Sequence, residues 1–106
     1  MAQWTVGELV EATGGTLVAG QRTAPVDGIS TDSRRIAPGQ AFLAVRGPRF
    51  DAHAFVPDVI RQGASALIVS ELIEAAGRAS VIRVADTVQA FGALGGAHRR
   101  RFSIPV

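Results

Sequence analysis

Residues 28–53 read GISTDSRRIAPGQAFLAVRGPRFDAH, and this stretch decides how the chain is organised. Ala41 to Val45 is an uninterrupted apolar run of strand length. Polar connectors flank it on both sides. The first, Ser30 to Arg35, holds the hydroxyls of Ser30, Thr31 and Ser33, the Asp32 carboxylate and the guanidiniums of Arg34 and Arg35. The second, Arg46 to His53, supplies Arg46, Arg49, a rigid Gly47-Pro48 pair, Phe50, Asp51 and His53. One short strand cannot bring both connectors to one ligand. A neighbouring strand must carry the first back beside the second, and Pro38-Gly39 is the turn signal that permits it.

Working outward, Thr5 followed by Glu8 has capping-box spacing, and Val6, Leu9 and Val10 form an apolar stripe that stops at Gly14-Gly15. A short helix is expected there. Thr16 to Ala19 reads as a brief strand, and Val26 to Ser30 as a second strand leading into the first connector. After the second connector, Phe55, Val56, Val59 and Ile60 share a helical face, with Asp51 as cap and Gly63 as terminator. Ala66 to Val69 and Val81 to Val84 read as apolar strands, and Glu71 to Ala76 as a short helix closed by Gly77. Asp86 or Thr87 caps a last helix with Val88, Phe91, Leu94 and His98 along one side. Its Gly92, Gly95 and Gly96 each cost roughly 1 kcal/mol relative to Ala. Close approach of the helix backbone to the sheet is the expected compensation, and a flexible break the alternative.

Strands alternating with helices, and apolar on both faces, indicate a small three-layer α/β domain. The expectation is a mixed, partly parallel sheet of about five short strands with three to four helices. At 106 residues the chain supports one core. It is 47% hydrophobic and 19% charged, a composition that folds. No run of transmembrane length and no leader pattern is present, so cytoplasmic location is the default expectation. The absence of Cys rules out disulfides and thiolate metal sites.

A pI near 11.0 invites a nucleic-acid reading, but the net charge is only +2. All 11 basic residues are Arg, so nothing titrates between the amino terminus near ~8 and Arg above ~12. The pI is high because the titration curve is empty there, and the attraction for a polyanion is small. The missing Lys also excludes a Walker-type phosphate loop and Schiff-base chemistry within this chain.

The order and spacing of three motifs carry a family resemblance: Ser-Thr-Asp-Ser-Arg, then Pro-Gly-x-x-Phe-x-Ala with a following Gly, then Arg-Phe-Asp-x-His-x-Phe. Together they resemble the amino-terminal, UDP-binding domain of the Mur ligases of cell-wall synthesis. The Arg-Phe-Asp-x-His string and the His-Arg-Arg-Arg-Phe-x-Ile-Pro-Val ending favour the member that adds D-Ala-D-Ala to a UDP-MurNAc-tripeptide. The member that adds the third peptide residue is the alternative. A freestanding nucleotide-binding module is the alternative of another class.

The resemblance implies a uridine-diphosphate site built from Thr31, Ser33, Arg34, Gly47, Pro48, Arg49, Phe50 and His53, with Asp32 and Asp51 as structural support. It implies no catalytic residue here. ATP and Mg²⁺ would belong to later domains of the parent enzyme, and the partners would be the UDP-N-acetylmuramoyl peptide and those domains. Residues 1–102 would form the recognition domain, and residues 103–106 would begin the strand leading to the ATP-binding domain.

From the residues alone, plainer readings stand beside these. Asp32 and Ser33 cap a turn with Arg34 solvated, Phe50 is core, and Arg99 to Arg101 complement a helix carboxyl end. His53 lies where a helix dipole disfavours positive charge, so a neutral, hydrogen-bonding imidazole is expected instead of a general base. With no second His nearby in sequence, a metal site has little support. Ala52 and Ala54 depart from the family pattern, which often has Gly at the first position and an acidic residue at the second.

Overall fold

The computed structural model describes residues 4–47, 50–71 and 79–102; the expected helix at Glu71 to Ala76 and the strand start at residues 103–106 fall outside it, wholly or but for Glu71. The elements run β1 (Trp4–Thr5), α1 (Val6–Thr13), β2 (Thr16–Ala19), β3 (Pro25–Val26), β4 (Ile29–Ser30) and β5 (Ala41–Leu43). They continue with β6 (Arg46–Gly47), β7 (Phe50–Asp51), a 3₁₀ turn (Ala52–Phe55), α2 (Val56–Arg61), β8 (Ala66–Val69), β9 (Ser80–Arg83) and α3 (Thr87–Phe102).

Five strands form the main sheet in the order β2-β9-β8-β5-β4. The four from β9 to β4 are parallel, and β2 closes one edge antiparallel. This is the mixed, partly parallel α/β sheet that the sequence pattern implies.

Strand alternation builds two cores from one sheet. Ala41 and Leu43 of β5, Ala66 and Ile68 of β8, and Ile82 of β9 point to one face, where Leu9 and Val10 of α1 and Ala90 and Leu94 of α3 cover them. Phe42, Leu67, Val69 and Val81 point to the other, under Val56 and Val59 of α2. All three residues of β5 are buried, as a parallel strand covered on both faces requires.

Local signals explain where elements begin and end. The α1 capping box forms, with Glu8 N–H donating to Thr5 Oγ1 and Thr5 N–H to Glu8 Oε1. Gly14 ends the helix in the left-handed conformation. The Pro38-Gly39 turn closes as expected: Gln40 N–H donates to Ala37 O at 3.1 Å, and Gly39 has φ of 92° at the third turn position.

One expected strand divides, and the choice of cap for the last helix is resolved. Val26 to Ser30 is two strands: β3 pairs with β1 and β4 joins the main sheet, the chain breaking between them at Gly28. Asp86 alone caps α3, its Oδ1 accepting from Val88 and Gln89 N–H. Thr87 is 1% exposed, and its hydroxyl accepts from Arg46 N–H.

The apolar side of α3 is also shifted. Ala90 and Leu94 are buried, while Val88 and Phe91 are more than half exposed. Nor do Gly92 and Gly95 mark close packing. A Cβ at Gly92 or Gly95 would meet nothing within 4 Å, and the helix runs through both without a break. Gly92→Ala and Gly95→Ala are therefore each expected to stabilise the fold by about 0.4–1 kcal/mol, since only the unfolded chain loses freedom. The midpoint of chemical denaturation measures it. Side chains at residues 97–102, including His98 and the arginine run, lie outside the described atoms.

Candidate functional site

Because β4, β5 and β8 are adjacent and parallel, their carboxyl ends share one edge of the sheet. The connectors leaving them begin at Thr31, Ala44 and Ser70, side by side along that edge. In open α/β sheets, ligands bind outside the carboxyl ends of the strands. The two arginine-bearing connectors therefore leave from neighbouring strand ends.

The first connector is a compact turn. Asp32 N–H donates to Ser30 Oγ, Arg34 N–H donates to Asp32 Oδ1 at 2.9 Å, and Arg35 N–H donates to Asp32 O. The backbone N–H of Arg34 holds the Asp32 carboxyl below its ordinary range, with the Arg34 side chain adding to the effect and partial burial opposing it. The Arg34 side chain is 86% exposed and carries one ion pair, to Asp32 at 3.4 Å. Its fork of donors is thus presented outward from a fixed backbone.

A concavity of about 850 Å³ lies against this turn, with Thr31 to Arg34 on one side and the stretch from Phe55 to Gln62 on the other. Gln62 sets the spacing between the walls. Its Nε2 donates to Ser33 O at 2.6 Å, and its Oε1 accepts from Ile36 N–H. Arg61, paired with Asp58, adds a second guanidinium to the rim.

These far-wall residues are absent from the set expected from sequence. Gln62 acts through partners 26 and 29 positions away, which no local pattern reveals. Phe55 was expected on the apolar face, yet it is 37% exposed. The cause is the 3₁₀ turn from Ala52 to Phe55, whose three residues per turn rotate Phe55 off the face that a 3.6-residue period assigns.

The second connector begins as a hairpin pairing Arg46 with Asp51 and Gly47 with Phe50. It is pinned from several directions. Arg46 N–H donates to Thr87 Oγ1 at 3.0 Å, the Arg46 guanidinium reaches Glu71 at 2.8 Å and Asp51 at 3.8 Å, and Ala52 N–H donates to Val45 O. Pro48, Arg49 and the ring of Phe50 lie outside the described atoms. Asp51 caps the 3₁₀ turn through His53 N–H instead of α2, which follows from Phe55 without a side-chain cap. The backbone N–H of His53, then its side chain, holds the Asp51 carboxyl below its ordinary range, with partial burial opposing. A carboxyl depressed in the folded state contributes stability above its unfolded value near 3.8 and loses it as the pH falls through the folded one.

Asp51, His53 and Glu71 bring three potential metal-ligand atoms within 4.8 Å of one another. Those atoms already have protein partners: the Arg46 guanidinium is ion-paired to both carboxylates, and both His53 nitrogens are engaged. No helix among the described residues is long and apolar enough to cross a membrane.

Comparison with known proteins gives this arrangement a family. The model for "Mur ligase family, catalytic domain" matches residues 25–99. The UDP-N-acetylmuramoyl-L-alanyl-D-glutamate--2,6-diaminopimelate ligase of Cytophaga hutchinsonii is 40% identical over 77 residues, 71% of this chain and 16% of its own length. The UDP-N-acetylmuramoyl-tripeptide--D-alanyl-D-alanine ligase of Synechocystis is 35% identical over 82 residues, 76% of this chain and 18% of its own length. The crystal structure of MurF from Acinetobacter baumannii superposes with a TM-score of 0.82 at 40% identity, covering 92% of this chain and 21% of that one. The chain thus spans about a fifth of the length of the relatives it matches. With the family model matching residues 25–99 and the MurF structure superposing over 92% of the chain, this chain belongs to the Mur ligase family.

Proposed function

We propose that this chain is the uridine-diphosphate recognition domain of an ATP-dependent Mur ligase that adds D-Ala-D-Ala to UDP-MurNAc-tripeptide. The observation that supports the reading is that the Ser33-Arg34 turn and the Arg46–Asp51 hairpin both leave from the carboxyl edge of adjacent parallel strands, with an open concavity against the first of them, lined among the described residues by that turn and the stretch from Phe55 to Gln62. In this reading the Ser33 hydroxyl and Thr31 face the nucleoside, and Arg34 offers a two-pronged donor to phosphate. Gly47, Pro48, Arg49 and Phe50 line the uracil side, where backbone N–H and C=O groups can read a pyrimidine edge and an aromatic ring can pack against it. Asp32 and Asp51 hold the two connectors in shape, and His53 takes part through the second.

Residues 1–102 form the recognition domain, and residues 103–106 lead toward a central domain that holds ATP and Mg²⁺. The chain contains no Lys, so the phosphate loop of that chemistry is supplied elsewhere. Its contribution is binding energy remote from the reacting carboxylate, used to position that carboxylate for phosphorylation and attack by an amine. The parent enzyme acts in the cytoplasm, on a nucleotide-linked precursor.

A second reading, the ligase that adds the third peptide residue, is supported by the 40% identity to the 2,6-diaminopimelate ligase of C. hutchinsonii. Calorimetry of the 106-residue chain with UDP and with ADP tests the shared part. Uridine selectivity is expected. Equal affinity for both, or affinity for oligonucleotides that falls steeply with salt, contradicts it.

A further inference from the structure

A histidine in a polar connector ordinarily reaches toward solvent or ligand, yet the His53 side chain is only 7% exposed. Its Nδ1 lies 2.5 Å from Asp51 Oδ1, and its Nε2 lies 2.9 Å from the backbone nitrogen of Ser70, just past the end of β8. A peptide N–H can only donate. Nε2 must therefore present its lone pair, and the ring proton must sit on Nδ1, where Asp51 accepts it. His53 is the neutral Nδ1–H tautomer, and it bridges two connectors that the sheet merely sets side by side.

We propose that His53 is a positioning residue of the nucleotide site: it fastens the Arg46–Asp51 hairpin to the Ser70–Glu71 connector, making the latter a third supporting wall. The part that concerns ligand rests on the uridine-diphosphate reading above. Among the described residues, the charged groups of this corner are Asp51, Glu71 and Arg46, and Arg46 ties the two carboxylates across the same gap. Two of the described links therefore span the hairpin and the β8 connector, one charged and exposed at Arg46, one neutral and buried at His53. The buried link sets the geometry. An exposed ion pair between long side chains holds position weakly, whereas a planar ring with both nitrogens bonded has one orientation.

The same geometry accounts for a neutral ring beside two carboxylates. Protonating Nε2 would aim a second donor at the Ser70 N–H and break the bridge.

Ring ¹⁵N spectra of the 106-residue chain should show a protonated Nδ1 and an unprotonated Nε2. A proton on Nε2, or ring signals that move on adding Zn²⁺, overturns the assignment. His53→Ala should move the amide signals of Ser70, Arg46 and Asp51, and speed exchange of the Ser70 amide about tenfold or more. It should also weaken UDP binding roughly tenfold, the scale on which loosening a supporting shell acts. His53→Gln, whose side-chain oxygen can accept from Ser70 N–H, should recover most of both.

Unchanged Ser70 exchange in His53→Ala, or changed exchange with unchanged UDP affinity, overturns the positioning role. If the unmodified chain fails to bind UDP, the nucleotide reading fails, while the ring spectra and Ser70 exchange still decide whether His53 fastens the two connectors. Should His53→Ala not fold, failure of His53→Gln to retain Ser70 protection overturns the bridge.

Discussion

Phe42→Ala is expected to cost about 3–5 kcal/mol of folding stability, the range for a large aromatic removed from a packed core. Phe42 is 0% exposed on β5 and faces the layer formed with α2, among Val56, Val59, Leu67 and Val81. Other members of the same buried cluster, Ala44, Ala52 and Ala64, have side chains too short to fill the space. The cavity would therefore persist instead of collapsing, which puts the cost toward the upper end. Domains of this size have about 5–15 kcal/mol in total, so the variant should lose a large part of its stability. Urea denaturation followed by circular dichroism measures the loss. Val18→Ala, at a site 49% exposed, should move the midpoint little.

Arg34→Ala should lower affinity for UDP by about tenfold to a hundredfold, equivalent to roughly 1.5–3 kcal/mol for a hydrogen bond to a charged group. The fold should hardly notice. The side chain is 86% exposed, and exposed ion pairs of this kind are worth about 0–1 kcal/mol. That separation makes the variant informative, because a lost affinity cannot be assigned to unfolding. Arg34→Lys should recover only part of the loss, since an ammonium restores the charge without the planar fork. Calorimetry with UDP, alongside a denaturation curve for each variant, measures both quantities. Undiminished affinity in Arg34→Ala would remove this residue from the site.

Much of the architecture was legible because local signals and burial agree. The capping box at Thr5 and Glu8, the Pro38-Gly39 turn, and the apolar runs at Ala41 and Ala66 each have one physical reading, and the structure follows it. What escaped the sequence was set by tertiary packing or by a change of helical period. Gly28 divides an apparent strand between two sheets, because its φ of 124° turns the chain where a side chain would resist. Phe55 leaves the apolar face because a 3₁₀ turn precedes α2.

On α3 the apolar residues outnumber the places at the core. The helix meets α1 and the sheet through Ala90 and Leu94, leaving Val88 and Phe91 outside. The near wall of the concavity, Thr31 to Arg34, could be named from its residue types. Its far wall could not, since Gln62 reaches Ser33 and Ile36 across a separation that only the folded chain closes. His53 was legible as a hydrogen-bonding residue, but its partner just past the end of β8 was not.

Amide-shift mapping of the 106-residue chain with UDP tests the central claim most directly. Shifts centred on residues 31–35 and on the hairpin around Arg46, Gly47, Phe50 and Asp51 are the expected result. Shifts confined to α3, with both connectors silent, would contradict it.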